Sequence, residues 1–286
     1  MGIGFKNIGG FLMITRKELK TDAKKVLKSK YWPFFIVGLI QSVLVSLLFV
    51  NVRVGGFEGI KEGLLFTMIF GISMLIVQVF LINPFRAAYS RFVVVNSENE
   101  KTDYRVMWTT LKDNYIAILR ATFMRDLLIT VCSIPFYIGL GLMGMGLIPK
   151  FMRLDIVAKL MAFQTFFSPS LVMTTFYYML FFTGGIIAAG GFILLLYRAY
   201  SYRMVDFIVC EMPEESWEDI LLKSKKMMRR NKFFTLTLDI SFFGWMILAS
   251  IIQVGGYFLY PYIDATFAQF YLRLKEKENK PEQTII

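Results

Sequence analysis

The chain has 286 residues, of which 56% are hydrophobic, 16% aromatic and only 19% charged. A soluble domain carries roughly a quarter charged residues, and here the apolar excess falls in runs near the ~20 residues needed to cross a bilayer core. The formal net charge of +11 points to topology and anionic headgroups rather than to nucleic acid, because the basic residues flank the apolar runs. Histidine is absent, which removes the commonest general base and metal ligand, so no catalytic residue, metal site or cofactor is expected. Cys132 and Cys210 sit in or beside apolar stretches and read as buried thiols, not as a disulfide framework.

In chain order, Met1–Met13 shows no small-residue cleavage site, so insertion through the first transmembrane helix is expected. An amphipathic segment follows at about 15–30, with Leu19, Ala23, Val26 and Leu27 at helical spacing and Thr15 and Glu18 at capping-box spacing. The first apolar run is Trp32–Val50. The second, Leu64–Ile82, is expected to continue as helix to Val95. A second amphipathic segment, about 103–114, leads into Ile116–Leu147, which Arg120, Arg125 and Asp126 interrupt. The fourth run, Leu171–Leu196, is expected to continue to about Val209. A third amphipathic segment, about 216–231, has Ser216 and Asp219 at capping spacing. Phe233–Ile252 and Tyr257–Leu274 close the series, with Gly255-Gly256 read as a tight turn between them.

The expected fold is all-α, since lipid leaves no water to satisfy a non-helical backbone. It is one integral membrane domain over 1–286, with six transmembrane helices in three hairpins at about 31–95, 115–209 and 233–274. The three amphipathic segments are cytoplasmic in this reading. A weak threefold repeat accompanies the pattern. Ala88-Tyr89-Ser90-Arg91 is echoed by Ala199-Tyr200-Ser201-Tyr202-Arg203, and Pro84 and Ala88 are matched in spacing by Pro261 and Ala265. Lys and Arg number 26 on one side of this topology against five on the other, which places both termini in the cytoplasm.

Thr15-Arg16-Lys17-Glu18-Leu19-Lys20, Ala23-Lys24 and Tyr31-Trp32 together resemble the domain of unknown function 975 family of bacterial integral membrane proteins. The C-terminal half resembles it more closely. There, Ala199-Tyr200-Ser201-Tyr202, the helix with Ser224 and Met228, Asp239-Ile240-Ser241-Phe242-Phe243-Gly244-Trp245 and Pro261-Tyr262 with Ala265-Thr266 and Phe270-Tyr271 fall in the family's order. The resemblance is weakest over about 97–170. It implies a protein of a Gram-positive-type cytoplasmic membrane and implies no activity.

No phosphate-binding loop of the GxxxxGK[ST] type and no strand-borne GxGxxG is present. Gly139, Gly141, Gly144 and Gly146 read as helix-packing positions, as do Gly184/Ala188 and Gly185/Ala189. The ionisable residues within the apolar runs carry more information, because a charge at a helix centre costs roughly 2.5–3.5 kcal/mol on insertion scales. Gln41, Arg125, Asp126, Asp239 and Asp264 therefore form the candidate intramembrane polar site, with structural ion pairing or snorkelling as the alternative. On the third amphipathic segment, Lys225, Lys226, Arg229 and Arg230 beside Met227 and Met228 are the candidate lipid or partner docking surface; a plain interfacial skirt is the alternative.

The expected partners are the lipid bilayer, anionic headgroups and another membrane protein. Two functions follow from these residues. One is a non-enzymatic multi-pass accessory, assembly or regulatory component acting with another membrane system or with lipid. The alternative is a small transporter or permease component using the intramembrane Asp and Arg residues.

Overall fold

Two of the prolines stand beside irregular turns in the long helices. The computed structural model describes residues 15–50, 60–99, 101–152, 169–251 and 255–279. Helix α1 (Arg16–Val50) contains one residue with non-helical angles, Lys30 at φ −123° and ψ 16°. Pro33 follows three positions later; its ring crowds the carbonyl of Ser29 and cannot donate to it, so the helix turns there. Helix α2 (Ile60–Val77) passes through a π-helical turn, Gln78–Ile82, into α3 (Asn83–Glu98). Pro84 has no N–H for the carbonyl of Phe80, and the wider turn relieves the clash. The Tyr115 hydroxyl donates to that carbonyl at 2.7 Å.

The remaining helices are α4 (Arg105–Met152), α5 (Pro169–Ser201), α6 (Val205–Glu211), α7 (Trp217–Met228), α8 (Lys232–Ile251) and α9 (Gly255–Asn279). No strand occurs among the described residues, so the all-α expectation holds. Four stretches are long and apolar enough to cross a membrane: Met68–Glu98, Arg105–Leu147, Thr175–Glu211 and Lys232–Ile251. Two expected runs are not among them. Trp32–Val50 lies in α1, with the side chains of 44–50 outside the described residues, and Tyr257–Leu274 lies in the more polar α9.

Local details both follow and depart from the sequence pattern. Thr15 Oγ1 accepts the Glu18 N–H at 3.3 Å. Ser216 Oγ accepts the Asp219 N–H at 3.2 Å and donates to the Asp219 carboxylate at 2.7 Å. Both helix starts thus satisfy orphan amides as capping requires. The second amphipathic segment runs into α4 without a break. The fourth run does not continue unbroken to Val209, because Tyr202–Met204 form a turn between α5 and α6. Gly255 and Gly256 open α9 instead of forming the turn. A Cβ on Gly255 would stand 2.5 Å from the Ala249 carbonyl oxygen, so close approach of α8 and α9 requires glycine there.

The helices form two compact units, Met1–Met124 with Tyr202–Ile286, and Arg125–Ser201. The first buries large side chains from many elements: Leu19 and Phe34 of α1, Phe92 of α3, Ile118 of α4, Met228 of α7 and Phe270 of α9 are each at most 1% exposed. The second is a pair of helical segments from α4 and α5 with its large apolar side chains turned outward, Phe182 at 65% and Ile193 at 67% exposed. Outward apolar faces of this kind suit lipid rather than water.

Candidate functional site

Arg86 on α3, Asp206 on α6, Asp239 on α8 and Asp264 on α9 stand near one another in the first unit, with Arg203 in the turn before α6. Asp239, on α8, accepts from Arg203 Nη2 at 3.0 Å. The half-buried Arg203 guanidinium also lies over the ring of Phe267, 4.1 Å from its centroid, a stacking geometry that arginine favours over lysine. Asp264, on α9, lies within electrostatic reach of Tyr89, Arg86 and Arg203, while the Tyr89 hydroxyl donates to the Phe34 carbonyl at 3.3 Å. Arg86 in turn pairs with buried Asp206 at 3.7 Å. Two ion pairs, Arg203–Asp239 and Arg86–Asp206, thus lie in the neighbourhood of Asp264.

Further pairings tie the ends of these helices. Glu211 accepts from Tyr271 and Lys275 and has Arg91 at 3.9 Å. Asp22 on α1 pairs with Arg273 of α9 at 3.1 Å. The kink in α1 brings Lys30 to the end of α3. Its buried Nζ donates to the carbonyl of Asn96 at 2.5 Å and to that of Asn99, so α1 caps the C-terminus of α3 with a cation. Asn96 orders the following connection, accepting the Asp103 N–H at 2.7 Å and donating to the Phe92 carbonyl at 2.8 Å.

The candidate polar residues are thus distributed unevenly. Asp239 and Asp264 share the influence of Arg203 in the first unit. Arg125 and Asp126 pair with each other at 2.8 Å within the second. Gln41 is helical in α1, and its side chain lies outside the described residues. Arg86, Tyr89, Arg203 and Asp206 are members that the sequence reading did not single out. Tyr89 and Arg203 did stand inside the repeated Ala-Tyr-Ser motif, which was the available signal.

The docking candidate needs a correction. Met227 and Met228 do not offer an adaptable apolar face, because both are buried in the unit's own core at 9% and 0% exposure. Amphipathic spacing marks an apolar face without saying what it packs against. Lys225, Lys226, Arg229 and Arg230 are exposed, Lys226 lies 3.9 Å from Glu278, and the exposed apolar residue of α7 is Leu222.

Among the described residues no group of three His, Cys, Asp or Glu is placed to hold a metal. A shallow cleft of about 300 Å³ lies beside Arg91, Thr110, Asp113 and Cys210, and the Asp239–Asp264 network does not line it. The arrangement can hold charges in place inside a helical assembly.

An all-helical chain with four helices long and apolar enough to cross a membrane is what fold and site define. The chain belongs to the DUF975 family, described as a protein of unknown function, whose family model matches residues 13–278. No curated protein and no solved structure matches it.

Proposed function

We propose that this chain is a non-enzymatic multi-pass protein of the bacterial cytoplasmic membrane that assembles with, stabilises or regulates another membrane system. Both termini and the amphipathic segments face the cytoplasm in this reading, supported by the 26 to five distribution of Lys and Arg. The helices follow one another as three hairpins, α1 with α2, α4 with α5, and α8 with α9.

One observation carries the accessory role. Three of the carboxylates that could have lined a path are paired with neighbouring guanidiniums: Asp239 with Arg203, Asp206 with Arg86 and Asp126 with Arg125. Internal pairing of this kind holds helices in register and leaves none of the three committed to a passing ion. The exposed basic face of α7, with Lys225, Lys226, Arg229 and Arg230, is then the surface for lipid or a partner.

Purification from the native membrane in nanodiscs, with bound proteins and lipids identified by mass spectrometry, tests the proposal. A stoichiometric protein partner, lost when those four basic residues are changed to Glu, is the expected result. A chain that purifies alone with one bound solute would overturn it in favour of a transporter component. That second reading draws on Asp264, a carboxylate within an apolar run whose neighbouring guanidiniums, Arg86 and Arg203, also pair with Asp206 and Asp239.

A further inference from the structure

Helix α8 alone has the length and apolarity to cross a bilayer, yet its contacts with α1 divide it in half. Lys20 Nζ lies 3.4 Å from the carbonyl oxygen of Ser241 and 4.2 Å from the ring centroid of Phe242, both at the middle of α8. Lys24 Nζ stands 5.9 Å from the ring of Tyr262 on α9. These lysines belong to the cationic part of α1, whose Arg16, Lys17, Lys24, Lys25 and Lys28 are all exposed. Such a segment is stable at a headgroup surface and costly in hydrocarbon. The middle of α8 therefore stands beside the cationic part of α1.

What remains of the hairpin is short. Phe243–Ile251 rises about 14 Å and Gly255–Pro261 about 10 Å at roughly 1.5 Å per residue, against a hydrocarbon core of about 30 Å. A second contact gives the same depth from the other side. The Tyr31 hydroxyl donates to the carbonyl of Phe258 at 3.0 Å, and Phe35 stacks on the Phe258 ring at 5.0 Å. Phe258 is three residues from the start of α9, and Trp32 is where the first apolar run begins. The first turn of α9 thus lies level with the beginning of α1's apolar run. Its outward side chains (Phe243, Trp245, Ile247, Leu248, Ile251 and Phe258) are nonetheless exposed and apolar, so something apolar covers them.

We propose that α8 and α9 form a re-entrant wedge seated in the cytoplasmic leaflet alone, its apolar tip among acyl chains and the lysines of α1 over anionic headgroups. This rests on the multi-pass reading above and replaces its third hairpin by a half-span. The chain then crosses the bilayer four times, with α1, α2, α4 and α5, and the termini stay on one side. Lipid of one leaflet is the occupant because the apolar tip and the cationic collar adjoin in the order acyl chain, then headgroup.

Labelling at three positions tests it in the full-length chain with Cys132 and Cys210 changed to Ser. Ile251→Cys should be unlabelled by an impermeant maleimide applied outside intact cells. As a bimane adduct in phosphatidylcholine–phosphatidylglycerol vesicles, it should be quenched most by spin labels at acyl-chain ends. Labelling of Ile251→Cys from outside, with strongest quenching by headgroup labels, would overturn the wedge. Phe233→Cys should be labelled only after permeabilisation. Asn51→Cys, in the connection between α1 and α2, should be labelled from outside; its protection would count against the multi-pass topology itself, not against the wedge. If the cysteine-free background does not fold, a glycosylation-acceptor loop inserted between Gln253 and Val254 gives the same decision in microsomes. Absence of modification there, with modification of a loop at 51–59, supports the wedge, and modification at 253 rejects it.

Discussion

The two units of the chain are held together by different means. In the first, Phe34, Phe92, Phe242 and Phe270 fill a core drawn from α1, α3, α8 and α9, and ion pairs close its polar groups. In the second, backbone meets backbone. A Cβ on Gly139 would lie 2.3 Å from the Ala188 nitrogen, and one on Gly191 would lie 2.3 Å from the Phe136 nitrogen. Burying leucine against leucine gains little where lipid tails are as apolar as the protein, so helices there associate through close van der Waals contact between small residues. The first unit also turns apolar side chains outward, on α2 and α8, but adds a core of large buried side chains and paired charges.

The largest effects should come from the second unit's glycines. Gly139→Leu or Gly191→Leu forces a side chain into backbone, which cannot yield as a flexible side chain can. Loss of monodisperse folded protein in detergent is expected, by size-exclusion chromatography. A Cβ on Gly141 or Gly144 would meet nothing within 4 Å, so Ala at either should leave thermal stability unchanged or raise it by up to about 1 kcal/mol through helix propensity. Equal damage at all four positions would erase the distinction between a packed glycine face and an open one.

In the first unit, truncating one member of an ion pair should cost less but show coupling. Asp239→Ala should destabilise by about 1–3 kcal/mol, because Arg203 loses a charge-assisted hydrogen bond while remaining partly exposed to other partners. A double-mutant cycle with Arg203→Ala should return a coupling of about 0.5–2 kcal/mol. Additive losses would mean that the 3.0 Å pair contributes nothing to stability.

These cases also show what was legible beforehand. Helix starts at Thr15 and Ser216 could be read because capping is local, set by residues three apart. The packing role of Gly139 and Gly184 was legible as small-residue spacing, yet two registers were available. The one with Gly184 and Ala188 faces α4, while Gly185 has only the Met143 sulfur at 3.9 Å. Arg203 was hidden because its partner Asp239 lies 36 residues away and the turn at Tyr202–Met204 looked like continuing helix. The burial of Met227 and Met228 could not be told from docking competence, since both need the same apolar stripe. Asp239 and Asp264 stood out as charges within apolar runs, but their partners depended on the tertiary arrangement.

A smaller effect sharpens the boundary of the first unit. Ser216→Ala removes the acceptor for the Asp219 N–H and should cost about 1 kcal/mol, measured by thermal unfolding. Asp219→Asn retains the backbone contact and should cost less. If the two lose equally, the Ser216 hydroxyl acts mainly through its bond to the Asp219 carboxylate.

The smallest predicted effect concerns Lys20, where α1 meets α8. Burial lowers its pKa from the ordinary value of 10.5, and the neighbouring charges of Arg16 and Lys24 push the same way. In the unfolded chain the amine keeps its ordinary pKa, so between the two values the unfolded state binds more protons and stability rises with pH. Below that window the folded protein carries the charge at a penalty, partly offset by the Phe242 ring and the Ser241 carbonyl. Lys20→Met removes the charge and keeps an apolar stem over Phe242, so the variant should melt slightly higher at neutral pH. That advantage should shrink as pH approaches 10.5 from below, because the wild-type amine then loses its proton. A wild type that is the more stable at neutral pH would mean that its contacts with the ring and carbonyl outweigh burial. The collar lysine would then act as an attachment of α1 to the α8–α9 hairpin, beyond any role toward headgroups.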